Sequence, residues 1–104
     1  MLVITGIITV ESESEIEPVK AALCRRAEKS RQDDGNIDYA FSQNLENPKE
    51  IRLIEKWESE ELLNAHLEIP DEGFNNAMAA AKIVSARVVS NEVLDERVLL
   101  ERSS

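Results

Sequence analysis

The stretch Leu2 to Val10 constrains this chain most, because both of its alternating sets are apolar or β-branched: Leu2, Ile4, Ile8 and Val10 against Val3, Thr5, Ile7 and Thr9. Successive side chains in a strand point to opposite faces, so a strand of this kind has to be covered on both sides. It belongs in the middle of a sheet, with helices on one face and a second layer on the other. Gly6 interrupts one set and marks either a bulge, a close approach by another backbone or ligand, or a weak spot in the strand.

The rest of the chain supplies the elements around that strand. Ser14 and Glu17 have capping-box spacing and Pro18 falls in the first turn, so a helix is predicted from there to about Gln32. Its buried stripe is Ile16, Val19, Leu23 and Ala27, with Cys24 at the edge and Arg25, Arg26, Glu28, Lys29 and Arg31 turned to water. Asp34 and Gly35 end it. Ile37, Tyr39, Phe41, Gln43 and Leu45 then alternate with polar or small residues as a half-buried strand, and Asn47-Pro48 turns the chain into a second one. In this second strand Ile51, Leu53, Glu55 and Trp57 share a face opposite Arg52, Ile54 and Lys56. Ser59 stands at a helix N-cap followed by Glu60 and Glu61, and the stripe of Leu62, Ala65, His66 and Ile69 turns the imidazole inward. Pro70 breaks that helix, and Asp71 caps a further segment in which Phe74, Ala77, Met78 and Ala81 share a face. Ile83 to Val89 reads as a last core strand.

The order β, α, β, β, α, β is the split pattern of an α+β, ferredoxin-like βαββαβ fold with a four-stranded antiparallel sheet and its helices on one face. Such a sheet keeps one face bare. With the first strand apolar on both sides, leaving its Val and Ile side chains wet would cost about 1.5 to 3 kcal/mol each, so a homodimer packed sheet to sheet is expected. Residues 1–90 form the domain. Residues 91–104, in which Val93, Leu94, Val98, Leu99 and Leu100 would be wasted on solvent, are expected to form an arm on a neighbouring subunit.

Charge and cysteine content narrow the partners. A formal net charge of −9 would repel nucleic acid and anionic membrane alike, and neither is expected as a partner. No window approaches the roughly 20 apolar residues of a membrane span, and MLVITGIITV lacks the basic start and cleavage site of a signal peptide, so a cytoplasmic protein is expected. One Cys and one distant His make no metal set, and Cys24 has no intrachain partner for a disulfide.

The chemistry concentrates between Ile51 and His66, which hold the only Trp and the only His. A strand-borne indole and an inward imidazole can meet there. The motifs Gly35-Asn-Ile-Asp-Tyr39-Ala-Phe41, Glu55-Lys-Trp57-Glu-Ser59, Leu62 through His66, and Phe74 resemble those of the antibiotic biosynthesis monooxygenase domain family, which includes small quinol monooxygenase-type proteins. The resemblance covers roughly residues 2 to 90. It implies a dimeric alpha/beta barrel type of ferredoxin-like protein, with a pocket between sheet and helices. It also implies a cofactor-independent monooxygenase that oxidises a small aromatic or quinol substrate with O₂, using neither metal nor flavin.

By the same resemblance, His66 would be the base that takes a phenolic proton or holds the phenolate, and Trp57 a wall on which an aromatic ring stacks. Tyr39, Phe41 and Phe74 would line the apolar side. Glu55 would orient His66 or pair with a cation such as Arg87. Each has a structural alternative: an inward His can be a satisfied core residue, and Trp57, Phe74 and Tyr39 can simply pack. Leu53 and Leu63 stand where polyketide-tailoring relatives place an amide and a Tyr, and the first strand has no Asn of the kind that haem-degrading relatives need. Two other functions stay open. One is isomerisation of a small carbonyl compound, which needs a base but no O₂; the other is a non-catalytic dimeric module, favoured if Leu53, Leu63 and Met78 fill the space beside His66.

Overall fold

The computed structural model describes residues 1–103. Four strands, β1 (Leu2–Val10), β2 (Asn36–Gln43), β3 (Glu50–Trp57) and β4 (Ile83–Glu92), form one antiparallel sheet in the order β2-β3-β1-β4. Three helices, α1 (Glu17–Ser30), α2 (Glu60–Leu67) and α3 (Glu72–Ala80), complete the ferredoxin-like α+β arrangement. The sheet is open and its edges, β2 and β4, do not meet.

β1 is central, as its two apolar faces require. Ile4, Ile8 and Val10 are buried on the helix side. The opposite face is bare: Ile7 is 37% exposed and Val3 and Thr9 are half-buried, with Ile54 of β3 and Val89 of β4 beside them. Gly6 lies at a close approach and not at a bulge. A Cβ there would fall 3.1 Å from Val88 and 3.3 Å from Leu53, its neighbours on the two flanking strands.

Two aliphatic and aromatic clusters hold the layers together. Ile8, Val10, Val19, Leu23 and Ile51 form one, against which Phe74, Ala77, Met78 and Ala81 pack the predicted face of α3. Ile4, Ala27, Tyr39, Trp57 and Leu63 form the other, with Leu53 and Phe41 against it. Gly35 ties the second cluster to the loop after α1. Its φ of +81° suits glycine alone, and its carbonyl accepts a hydrogen bond from Glu58 N–H at 2.8 Å.

Four local expectations differ from the structure. Ser14 does not cap α1: Ser12 caps a short 3₁₀ turn at Glu13–Glu15, and α1 continues out of it from Ile16 with no side-chain cap. Ile37 is 51% exposed and Leu45 fully so, because the β2–β3 register shifts between Asn36 and Asp38 and β2 ends at Gln43. On α2 the buried pair is Leu63 and His66, with Leu62 half-buried and Ala65 and Ile69 exposed, so the inward stripe is rotated by one residue. β4 is an exposed edge and not a core strand. No helix lies over it, leaving Val84 67% and Val88 55% exposed.

β4 runs to Glu92, two residues beyond the expected domain boundary, and residues 93–103 have no helix or strand. Leu94, Val98, Leu99 and Leu100 of this arm are exposed, and its described contacts are Val93 N–H to the Met1 carbonyl and Glu96 to Lys56 on the bare face. The arm's last residue, 104, lies outside the described residues. No helix is long and apolar enough to cross a membrane among the described residues.

Candidate active site

Trp57 ends β3 with its side chain on the helix face, and Ser59 starts α2 by accepting a hydrogen bond from Leu62 N–H at 3.3 Å. Within two residues the chain turns from strand to helix, and about two turns along α2 bring His66 back over the indole. The ring centroids are 4.6 Å apart at 35°. Trp57 has no exposed surface and His66 is 3% exposed.

The remaining aromatic groups close around this pair. Tyr39 meets His66 edge-on at 5.8 Å, Phe41 meets Tyr39 at 5.7 Å, and Phe74 of α3 lies 6.1 Å from Phe41. Glu55, buried on the same strand face as Trp57, accepts the indole N–H at 2.9 Å. All six residues singled out in the sequence, His66, Trp57, Tyr39, Phe41, Glu55 and Phe74, thus belong to one contiguous cluster. Burial raises the Glu55 carboxyl above its ordinary range, opposed by the bond from Trp57 and by the nearby His66 and Arg26. Burial, helped by the Glu55 charge, likewise raises the Tyr39 hydroxyl. Glu55 engages Trp57, while Arg87 lies on the opposite face of the sheet.

Two residues complete the site that sequence reasoning did not assign to it. Asp33, in the loop after α1, holds His66 Nδ1 at 2.6 Å from its Oδ2. Arg26 was expected in water, yet its side chain is only 13% exposed and its Nη2 lies 3.1 Å from His66 Nε2. Guanidinium can only donate, so Nε2 accepts and the imidazole proton sits on Nδ1, donated to Asp33. The same guanidinium lies 5.1 Å over the Phe74 ring and 3.5 Å from the Asp71 carboxylate, joining α1 to α3.

A histidine whose Nδ1–H is fixed by a carboxylate has its Nε2 lone pair aimed and ready to accept a proton, which is the geometry of an oriented general base. Here that lone pair is covered by Arg26. The rings are packed against one another and Leu63, with Leu53 against the same cluster, so the space between Trp57 and His66 is closed. Openings lie to either side. An open hollow of about 320 Å³ borders His66 on its Asp33 side, with Leu62, Ala65 and Ile69. Another, about 190 Å³, lies between α1 and the sheet beside Phe41, Leu23, Lys20 and Cys24. No group of three or more His, Cys, Asp or Glu side chains able to hold a metal occurs among the described residues.

Comparison with known proteins agrees with this architecture. A protein from Deinococcus radiodurans named for antibiotic biosynthesis monooxygenases superposes with a TM-score of 0.82 at 21% identity, covering 97% of this chain and all (100%) of that one. One from Nitrosomonas europaea with the same designation gives 0.80 at 21% identity, covering 91% and 100%. A third, from Bacteroides thetaiotaomicron, gives 0.78 at 16% identity, covering 96% and 95%. At these identities the likeness is one of fold. No curated protein sequence matches the chain. Residues 1–72, which carry β1 to β3, α1, α2, Asp33, Trp57 and His66, match the sequence model of the antibiotic biosynthesis monooxygenase domain, and the chain belongs to that family.

Proposed function

We propose that the protein is a cofactor-independent monooxygenase that oxidises a small quinol or polyphenol with O₂, with His66 as the base and Trp57 as the wall that backs its imidazole. The observation that carries this reading is the bond between Asp33 and His66 Nδ1 above the buried indole, because it leaves Nε2 as the acceptor of a phenolic proton. A quinol is its own reductant. Once deprotonated, the phenolate passes one electron to O₂, and the semiquinone and superoxide so formed combine into a carbon–oxygen bond. Loss of water from the peroxide leaves one oxygen atom in a hydroxyquinone and the other in water, all four electrons coming from the substrate. The proton on His66 can leave by way of Asp33, which borders the open hollow.

Substrate would enter beneath α3. That helix has no buried residue, and Phe74 is the ring that must yield for another aromatic to approach His66. Tyr39, Phe41 and Glu55 would complete the lining. The working unit is a homodimer in the cytoplasm, with the bare face around Ile7 covered by a second copy and the arm lying on it. Partners are limited to that copy and the small aromatic substrate; nucleic acid and membrane are not among them.

Oxygen uptake with a panel of hydroquinones tests the reading. Uptake by wild type that is lost in His66→Ala is the expected result; no uptake, or undiminished turnover in the variant, contradicts it. Product formed without O₂ would indicate carbonyl isomerisation by the same base. A non-catalytic binding module has one observation in its favour, the complete burial of Trp57 beside Leu63, and it predicts ligand binding with no turnover in either atmosphere.

A further inference from the structure

We propose that Arg26 is a catalytic residue of this site: it receives the phenolate oxygen once His66 has taken the phenolic proton, and α3 holds it in reserve until then. This rests on the monooxygenase reading above. Among the described residues the guanidinium is the one positive side chain in contact with the imidazole, with Nη2 3.1 Å from His66 Nε2. Its Nε–H is buried with no acceptor among the described residues, an arrangement that native proteins rarely tolerate without a reason.

Proton transfer itself supplies the switch. In the resting site Nε2 accepts from Arg26. When the phenol O–H bond breaks and the proton bonds to Nε2, that nitrogen becomes a donor and the ring a cation, held through Nδ1–H by Asp33. Two donors cannot share a hydrogen bond, and two adjacent cations repel. In the same step the negative charge moves to the phenolate oxygen, which Nη2–H and the unpartnered Nε–H can reach by a small rotation of the guanidinium. Arg26 therefore turns from imidazole to phenolate, and a planar fork of fixed donors suits an oxyanion better than an ammonium would. Asp71, which caps α3 by accepting Phe74 N–H at 3.1 Å, and the Phe74 ring together hold the guanidinium in its resting place.

A chromogenic nitrophenol tests this without turnover, because its absorbance reports its own ionisation when bound. Bound to wild type, it is expected to ionise about one pH unit or more below its free value, about tenfold or more in the ionisation constant. In Arg26→Met the shift should disappear while binding persists, and Arg26→Lys should restore part of it. If the Met variant does not fold by circular dichroism, Arg26→Gln takes its place. Asp71→Asn keeps an N-cap but removes the restraining charge, and should bind the nitrophenolate severalfold more tightly. An undiminished shift in the neutral Arg26 variants overturns the role of Arg26 and leaves the monooxygenase reading standing. Unchanged affinity in Asp71→Asn overturns the restraint by α3. Failure of wild type to bind any nitrophenol overturns both readings.

Discussion

Replacing Gly35 by Ala should destabilise the protein by about 2 to 5 kcal/mol, from two separable causes. The first is backbone: at φ +81° an L side chain is strained by about 1 to 2 kcal/mol. The second is steric, since an added Cβ would lie 2.3 Å from Leu62 Cδ1, 2.8 Å from its Cβ and 3.0 Å from its Cγ. Rotating the side chain relieves the Cδ1 contact. The Cβ is fixed to α2, so the helix itself has to shift, and overpacking of this sort costs about 1 to 3 kcal/mol. Urea denaturation gives the loss as a lower midpoint at unchanged slope. In a Leu62→Gly background, which removes that Cβ as well, the steric part vanishes and the cost of Gly35→Ala should fall to about 1 to 2 kcal/mol. Because Leu62 precedes His66 by one turn of α2, the single variant should also weaken the Asp33–His66 contact and lower turnover. A loss below about 0.5 kcal/mol, or an equal loss in both backgrounds, would refute the reasoning.

The Glu55 carboxyl is raised above 4.5, so between 4.5 and its folded value the native state holds more protons than the unfolded chain, and stability falls as pH rises through that window. Glu55→Gln keeps an oxygen for the indole N–H and should flatten this slope, leaving the variant at least as stable as wild type at neutral pH by thermal unfolding. Asp33→Ala strands the buried Nδ1–H of His66 and should cost about 1 to 3 kcal/mol in urea titration, together with most of the turnover. Ile7→Asp places a charge in the centre of the bare sheet face; sedimentation should find wild type dimeric and the variant monomeric at micromolar concentration.

Much of the frame was legible because it follows from periodicity. The double apolar pattern of Leu2–Val10 placed β1 at the centre, and the strand–helix junction after Trp57 placed the indole against His66. Arg26 was misread although a signal existed. It is seven residues beyond Val19, about 20° away on the helical wheel, and so lies on the buried stripe of α1. A charged residue there was assigned to water by its type, when a carboxylate, an imidazole and an aromatic face were available to receive it. Asp33 had no such signal, since its role depends on how the loop before Gly35 turns toward α2. The inward stripe of α2 was out by one residue because an eight-residue helix gives too few positions to fix its phase. β4 was taken for a core strand from its Val and Ile content, yet sequence alone does not say which strand the helices leave uncovered.

The proposed chemistry depends on which nitrogen of His66 carries the proton. Nitrogen-labelled imidazole NMR of the protein, free and with a phenol bound under argon, reads this directly. The expected spectra show Nδ1 protonated and Nε2 accepting a hydrogen bond in the free protein, with both nitrogens protonated once phenol is bound. A proton resting on Nε2 in the free protein, or an imidazole unchanged by phenol, would contradict it.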